Sequence, residues 1–223
     1  MATSGPERVL DGQREPAAQK TRRSLVMAAV EALRDKGFAG ASAREIARRA
    51  GCNPALVFYH FGTVTGLHLA ALDHVAAERK ERYQAVLDGV TNAQGLVRAS
   101  QEVFAEDMGR GYVAVLSTMV AAAHTTPELG PEIAARIAPW RELATNAVRD
   151  TVGRIPLVRS TPAEEIGHAV VALYLGLEML ASLDGDQARA LRLFGRAATL
   201  ASLLDRLPLP SRRRRDRTAK RRG

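Results

Sequence analysis

The residues whose types and spacing suit a chemical task lie in one short segment, Asn53 to His60, with the sequence NPALVFYH. The segment mixes amide, phenol and imidazole groups with apolar side chains on a predicted helix of about two turns. A short helix of this kind can enter a DNA major groove, about 12 Å wide, and contact base edges and phosphates. The segment therefore indicates recognition of duplex DNA.

Enzyme chemistry has little support in the sequence. It contains no G-x-S-x-G, G-x-x-x-x-G-K-[ST], C-x-x-C or H-E-x-x-H motif, and no G-x-G-x-x-G after a strand. Glu165 and His168 have the spacing of di-iron ligands on a helix, but no second pair accompanies them, and an exposed first helical turn is the favoured interpretation. We therefore expect no catalytic residue, no cofactor and no metal.

Neighbouring helices must hold this segment in place, because so short a helix is not stable alone. A first helix is predicted from Ala17, and Gly37 suits its C-terminus. Ser42-Ala43-Arg44-Glu45 has the form of a capping box and opens a second helix, AREIARRA, which Gly51 ends. The two helices joined by Ala50-Gly51-Cys52 predict a helix-turn-helix.

The third helix has its own start and stop signals. Asn53 can cap it and Pro54 fits its first turn. Val57 and Phe61 are the predicted anchors, so the other side chains of the segment point outward. Thr63 is predicted to cap a long fourth helix, 64–87.

The rest of the chain is also predicted to be helical, with no alternating strand pattern. The apolar stretch 112–124 predicts a helix that is buried nearly all round. A second capping box, Thr161-Pro162-Ala163-Glu164, and then Asp184 are predicted to open the last two helices. The predicted spans after the fourth helix are 92–108, 112–124, 140–153, 162–183 and 186–206.

Prolines and small residues set the predicted breaks between these helices. Pro127, Pro131 and Pro139 are expected to break or start short elements, and residues 154–160 to form a loop around Pro156. Aromatic residues make up only 4% of the chain, so the core must use Ala, Leu and Val, which favours helices over strands.

Charge is unevenly placed along the chain, whose formal net charge is +8. Residues 17–80 carry +5 and residues 211–223 carry +7, whereas 81–210 carry −3 and 1–16 carry −1. Such asymmetry indicates an N-terminal module that meets a polyanion and a body with another task. The Arg-rich tail either adds salt-dependent phosphate contacts or is simply solvated.

The lone cysteine, Cys52, excludes a disulfide within the chain and indicates a reducing compartment. Cys52 could sense oxidants at a helix N-terminus, but a buried structural role is favoured. No apolar run approaches the roughly 20 residues that span a bilayer, and no signal peptide is recognisable. We expect a cytoplasmic protein without membrane contact.

Residues 21–71 resemble the TetR family of bacterial repressors. The resemblance lies in TRRSLVMAAVEALRDKGFAGASAREIARRAG, CNPALVFYHFG and GLHLAAL, with the phasing Gly37-Phe38, Ser42, Ile46-Ala47, Ala50-Gly51 and Tyr59-His60-Phe61-Gly62. It implies a homodimer of nine-helix subunits whose body binds a small ligand. The implied fold is all-α, with a helix-turn-helix DNA-binding domain at 17–63 and a helical ligand-binding and dimerisation domain at 64–208. Residues 1–16 are expected to be a disordered arm and 209–223 a disordered tail.

The resemblance also implies roles for single residues. Arg44 would contact phosphate or a base edge, and Asn53 would either read adenine or, as we favour, cap its helix. The other expected base contacts are Pro54, Ala55 and Phe58, and the expected phosphate contacts are Leu56, Tyr59, His60 and Thr63. Val64 departs from the family, which usually has Lys there, so one phosphate contact is missing or is replaced by Arg48, Arg49 and the arm.

A ligand pocket is expected in the body, because adaptable and polar-tipped residues often line such sites. Glu178 lies among apolar residues and either flanks an interface or faces water. Ordinary core positions are an equal alternative for each expected pocket residue taken singly. The expected lining residues are Phe104, Met108, Tyr112, Met119, His124 and Trp140.

These features predict a ligand-responsive repressor that binds a near-palindromic operator. The apolar stripes of the helices at 162–183 and 186–206 predict that these helices form the homodimer. The effector is an unknown small molecule. The alternative is a general nucleoid-type basic protein that binds DNA without sequence preference, which competition between DNA sequences would reveal.

Overall fold

The computed structural model describes residues 16–110, 112–153 and 155–206, and this part of the chain contains helices and no strand. The expected tail and nearly all of the expected arm lie outside the described residues. The chain divides into two compact units, residues 1–71 and 72–223. The division falls inside the fourth helix, later in the chain than the expected boundary after residue 63.

The first unit holds the first three helices and the start of the fourth. The helices are α1 (Ala17–Gly40), α2 (Ala43–Ala50), α3 (Ala55–Phe61) and α4 (Val64–Leu87), of which α4 continues into the second unit. Gly37 interrupts α1 with a φ of 69°, a conformation that L-residues with a Cβ rarely adopt. The predicted end of the regular first helix at Gly37 is therefore confirmed.

Local capping sets the borders of α2, as predicted. The Ser42 hydroxyl accepts a hydrogen bond from the Glu45 backbone N–H at 3.3 Å. At the other end Gly51 is left-handed, with a φ of 65°. These two features leave α2 with eight residues, AREIARRA.

The second unit contains the rest of α4 and six further helices among the described residues. α5 packs mainly on the last helix, α10, and α7 packs mainly on α9. Phe104 lies in a buried cluster with Ala181 and Ala190, so it joins α5, α9 and α10. The six helices are α5 (Ala93–Arg110), α6 (Tyr112–Ala123), α7 (Leu129–Val152), α8 (Pro156–Ser160), α9 (Ala163–Asp184) and α10 (Gln187–Asp205).

The proline-based breaks were partly wrong. α7 is one helix of 24 residues that begins at Leu129 and contains Pro139 in its interior. Pro131 lies in the first turn, where its missing N–H would have no helical partner anyway. Pro139 does remove an internal hydrogen bond, but the helix continues because its packing on α9 outweighs that single loss. Pro156 likewise opens the short helix α8 in the predicted loop.

The capping residues of the last two helices were also predicted one or two positions early. Pro162 is extended and holds the N-cap position of α9, so Thr161 lies one residue outside it. Gly185 ends α9 in a left-handed conformation, which makes Asp184 the last residue of that helix. Asp186 caps α10 instead, because its side chain accepts from the Arg189 backbone N–H at 3.0 Å.

Two apolar helices are more exposed than expected. α6 buries Val115 and Met119 but exposes Val120, so the prediction of a helix buried nearly all round is wrong. An apolar sequence does not show which face a neighbour covers. α9 is long and apolar enough, by length and composition alone, to cross a membrane, and the bent pair α3 and α4 passes that test only together. Core helices of soluble proteins pass the same test.

Candidate functional site

The first candidate site is the outer surface of α3. Val57 is fully buried and holds the helix against its unit. Phe61 is half-buried beneath the Arg22 guanidinium, which lies 5.0 Å from the ring centroid. These two residues anchor one side of α3, as predicted, and turn the other side outward. Phe58 is 52% exposed and Tyr59 is 79% exposed.

Side chains at both ends of α3 cap backbone groups. The Asn53 Oδ1 accepts from the Ala55 N–H at 2.8 Å, so its oxygen acts in capping, the favoured of the two alternatives. Thr63 caps α4 as predicted, because its hydroxyl accepts from the Gly66 N–H at 2.9 Å. Gly62, with a φ of 72°, makes the sharp turn between the two helices.

The other predicted DNA contacts lie on or beside this surface. Arg44 is exposed near the start of α2. Ala55 and Thr63 are exposed as well. Pro54, Leu56 and His60 are half-buried, and the His60 ring contacts the Tyr59 ring edge-on at 4.9 Å. The structure thus brings all nine residues predicted for DNA binding into the α2–α3 region and the start of α4.

A charged cluster supports α2 from behind. Glu45 binds Arg48 and Arg49 and pairs with Lys36 at 3.0 Å. Hydrogen bonds from Arg48, Arg49 and Lys36 lower the pKa of Glu45. Arg49 is also held by Asp35 at 2.7 Å. Arg49 is therefore committed to structural ion pairs, whereas Arg48, although it also pairs with Glu45, keeps an exposed side chain.

Cys52 is half-buried, which is less than the full burial expected of it. Burial raises the pKa of its thiol. A raised pKa disfavours the thiolate, so the local environment does not activate this cysteine. His68, buried within the same unit, donates a hydrogen bond from Nε2 to the Ala41 carbonyl at 2.8 Å, and burial lowers its pKa.

The second candidate site is a cavity of about 320 Å³ inside the second unit. This volume lies at the lower end of the range for small-molecule pockets. Its wall is mostly apolar and comes from α4, α5, α6, α7, α9 and α10. Representative lining residues are Val75, Val103, Leu116, Ile137, Leu173 and Leu177.

The polar end of this cavity is built around Arg79. Its Nε donates to Asp107 Oδ2 at 2.9 Å, and its Nη2 donates to Glu178 Oε1 at 3.1 Å. Tyr83 and Tyr174 each donate a hydroxyl to Asp107 Oδ2 at 3.2 Å. The guanidinium lies over the rings of Tyr83, Tyr174 and Trp140, at 5.7, 5.9 and 5.4 Å from their centroids. We call Arg79, Asp107 and Glu178 the Arg79 cluster.

Burial governs the protonation of the Arg79 cluster. Burial raises the pKa of Glu178 to about 8, although Arg79 opposes this. For Arg79, burial is the largest influence and disfavours the charge, but Glu178, Tyr83, Asp107 and Tyr174 together more than offset that penalty, so the pKa is raised. Glu178 is fully buried, so both alternatives expected for it, an interface flank and a water-facing position, are wrong.

The cavity wall differs from the predicted lining. Tyr112 and Trp140 line it, whereas Phe104 and Met119 are fully buried core residues outside it. His124 is exposed beyond the end of α6, and its Nδ1 lies 3.1 Å from the Val120 carbonyl. Met108 packs on the Phe104 cluster. Sequence reasoning missed Arg79, Tyr83 and Tyr174, because nothing local marks them as neighbours.

No cluster of three or more His, Cys, Asp and Glu side chains suited to a metal occurs among the described residues. Glu165 and His168 stand without further ligands in that part of the chain, in the first turns of α9.

Comparisons with known proteins give a family match within the first unit and a common fold over most of the chain. Residues 25–71 match the family model described as "Bacterial regulatory proteins, tetR family". A putative TetR-family transcriptional regulator from Rhodococcus sp. is similar over 84% of this chain and 99% of its own, with TM-score 0.67 and 20% identity. A TetR transcriptional regulator from Chloroflexus aurantiacus J-10-FL matches over 83% and 96%, with TM-score 0.66 and 24% identity.

A third similar structure is that of the fatty acid degradation regulator FadR from Bacillus halodurans. It covers 89% of this chain and 100% of its own, with TM-score 0.67 and 12% identity. At such identities, these likenesses show a shared fold over 83–89% of the chain and nothing about what its cavity binds.

Proposed function

We propose that this chain, whose residues 25–71 match the family model of the TetR bacterial regulatory proteins, is a ligand-responsive repressor that binds a near-palindromic operator as a homodimer. The observation that carries this proposal is the surface of α3. A helix of seven residues holds Phe58 and Tyr59 in solvent while Val57 is fully buried beneath them. Exposing two aromatic rings is unfavourable in water unless a partner covers them.

DNA contacts are assigned by chemistry. Phe58 with Pro54 and Ala55 offers apolar surface for thymine methyl groups. Tyr59, His60 and Thr63 can donate to phosphates, and Arg44 can bind a phosphate or a guanine edge. Because Arg49 is committed to Asp35 and Glu45, it is not proposed to replace the phosphate contact that Val64 lacks.

Helices α9 and α10 are proposed as the dimer interface. They expose large apolar side chains that a solvated monomer would leave in water, with Leu173 67% and Leu183 80% exposed. A twofold pair of such helices would bury these stripes in a four-helix bundle. The exposed stripe also explains why α9 is apolar enough, by composition, to cross a membrane. Its exposed large members are Val170, Leu173, Met179, Leu180 and Leu183 on α9 and Leu193, Leu200, Leu203 and Leu204 on α10.

The cavity is proposed as the effector site. α4 contributes Leu72, Val75, Arg79 and Tyr83 to its wall, and the same helix begins at Val64, directly after the DNA-facing surface. A ligand can alter DNA affinity only if it binds the DNA-competent and incompetent conformations unequally. α4 is the element through which we propose that this difference acts.

Selection of DNA sequences by the purified full chain tests the DNA-binding proposal. One enriched, near-palindromic sequence should bind on the order of 10³-fold more tightly than random DNA. Phe58→Ala should weaken binding to that sequence about tenfold or more, because a good base contact is worth roughly 1–3 kcal/mol. Met27→Ala is the matched control, since Met27 is an exposed apolar residue on α1. If Phe58→Ala weakens binding to the selected sequence and to random DNA equally, the nucleoid-type alternative is favoured.

Analytical ultracentrifugation tests the dimer. Leu183→Glu places a charge in the proposed interface, at a position that does not line the cavity, and should give a monomer with weaker operator binding. Val120→Glu is the control, because Val120 is an exposed apolar residue on α6. A Leu183→Glu protein that remains a dimer would contradict the interface, whereas monomers from both variants would make the effect nonspecific.

Transcription from a promoter that overlaps the selected sequence tests repression. The full chain should lower transcript yield, and the Phe58→Ala protein should not. A rise in transcript on addition of the wild-type protein would identify an activator instead.

A further inference from the structure

The cavity wall carries two cations, Arg79 and Arg136, and each is already matched by carboxylates. Within the described lining, no lysine or histidine accompanies them. Whether carboxylates already balance these two guanidinium charges therefore decides if the cavity can accept an anionic ligand, because an ion buried without a counter-charge is strongly disfavoured.

Arg79 faces two carboxylates, Asp107 and Glu178. With both ionised, the Arg79 cluster carries a net negative charge. With Glu178 protonated, Asp107 alone still balances Arg79. In neither state does the cluster offer an unmatched positive charge to an anionic ligand.

Arg136 is matched in the same way. Its Nε and Nη2 donate to Asp73 at 2.7 and 3.1 Å, and its Nη1 donates to Glu132 Oε2 at 2.8 Å. Every nitrogen of this guanidinium therefore has a carboxylate partner. Arg136 can line the cavity without attracting an anion into it.

Unused hydrogen-bond donors remain at the Arg79 end of the wall. Arg79 Nη1 and the Trp140 indole N–H donate to no group within residues 16–206 as far as these are described, and both residues line the cavity. Tyr83 and Tyr174 direct their hydroxyls to Asp107. The groups at this end of the cavity that can still form a hydrogen bond to a ligand are therefore donors, and they require an acceptor on the ligand.

A second, smaller cavity of about 240 Å³ adjoins the first and shares Leu87, Leu96, Leu143 and Ala147 with it. Asp88 and Asp150 line this second cavity, and its described wall contains no cation. An anionic ligand that extended into it would meet two carboxylates. Charge therefore disfavours anions in both cavities.

Building on the proposed effector site, we propose that the ligand of this cavity is an uncharged, mainly apolar molecule with a hydrogen-bond acceptor, such as a ketone or ester carbonyl, that lies against Arg79 and Trp140. Fatty carboxylates and other mainly apolar anions are not ligands of this cavity. Discrimination rests on the carboxylates behind Arg79, which cancel the only charge that could have held an acid group there.

A matched set of probes tests this class directly. Methyl decanoate and 2-undecanone supply the carbonyl, and decanoate supplies the same chain with a charge. Trp140 is the single tryptophan of the chain, so its fluorescence reports on the cavity in the full protein. The neutral probes should change the Trp140 emission and bind on the order of 100-fold more tightly than decanoate, because burying an unmatched carboxylate is so unfavourable.

A double variant should reverse the preference. Asp107→Asn with Glu178→Gln keeps acceptor oxygens beside Arg79 but removes both negative charges. Decanoate affinity should then rise at least about tenfold, while affinity for methyl decanoate changes less. Glu102→Gln, a substitution at an exposed glutamate on α5, is the control and should leave both affinities unchanged. Circular dichroism establishes whether the double variant is folded.

The outcomes separate the ligand class from the effector role. Decanoate that binds the wild-type protein as tightly as its ester, or no response to any neutral probe, overturns the ligand class, even if the double variant fails to fold. A folded double variant without gain for decanoate also contradicts it. Neutral probes that bind in the cavity but leave binding to the selected DNA unchanged support the ligand class and overturn the effector role instead.

Discussion

The two candidate sites are assembled from contacts of very different sequence range. Around α3, side chains bind backbone groups only two or three residues away, as in the Asn53–Ala55, Ser42–Glu45 and Thr63–Gly66 pairs. In the Arg79 cluster, Arg79 reaches Asp107 across 28 positions and Glu178 across 99. One site is thus organised by its own segment, and the other exists only once distant helices have packed.

The two sites also differ in how much solvent shields their charges. The salt bridges around Glu45 lie at the surface, where water screens them and each contributes little. The Arg79 cluster is buried, so removing one charged partner leaves a remaining charge without a counter-charge in an apolar environment. The comparison therefore predicts that single substitutions of charged residues lower the free energy of unfolding little around Glu45 and strongly in the Arg79 cluster.

The largest expected effect is the loss of the buried cation. Arg79→Met should lower the free energy of unfolding by about 3–5 kcal/mol, because it leaves the Asp107 carboxylate buried without a counter-charge. Urea denaturation of the full chain measures this. Arg48→Met, which removes an exposed partner of Glu45, should leave the unfolding midpoint nearly unchanged. Similar losses from both variants would remove the contrast between the two sites.

The next effect separates support from recognition within α3. Val57→Ala should lower the free energy of unfolding by about 1–3 kcal/mol, because it leaves a cavity beneath the helix. Tyr59→Ala should leave stability unchanged and weaken DNA binding, since its side chain lies in solvent. Thermal unfolding and a DNA-binding titration distinguish the two. A Tyr59→Ala protein that melts early would show that the ring supports the fold.

A smaller effect concerns pH. Because the pKa of Glu178 is raised from about 4.5 to about 8 in the folded protein, the folded state binds the extra proton between these values. Stability contributed by this group is therefore present at low pH and is lost as the pH rises towards 8. Glu178→Gln, which is neutral throughout, should show a flatter stability profile than the wild type over that range. Parallel profiles would contradict the assignment.

The smallest expected effect is at a helix cap. Ser42→Ala should cost about 1 kcal/mol of stability, because the Glu45 N–H loses its acceptor at the start of α2. Ser24→Ala, at an exposed position inside α1, is the matched control and should cost less. Chemical denaturation of the two proteins side by side measures the difference.

The elements that the sequence predicted correctly share one property. The borders of α2 and α4, the left-handed residues Gly37 and Gly51, and the Thr63 cap all depend on groups within a few positions of each other. Capping and glycine geometry act over that distance, so a local pattern is sufficient to predict them.

The errors share the opposite property. Pro139 is tolerated inside α7 because α9 packs on that helix, and Glu178 is buried because Arg79 arrives from α4 to meet it. Neither partner is visible from the residues beside Pro139 or Glu178. The same limit applies to the cavity, where Tyr112 and Trp140 were identified as lining residues but Tyr83 and Tyr174 were not.

Residue order alone therefore established the helical class, the helix-turn-helix and the outward segment from Asn53 to His60, because short-range capping and the burial of Val57 specify them. Packing of the second unit established the Arg79 cluster, the cavity wall and the faces that α9 and α10 leave exposed. The physical reason is that burial and charge matching depend on which distant side chains meet, and no local pattern encodes that meeting.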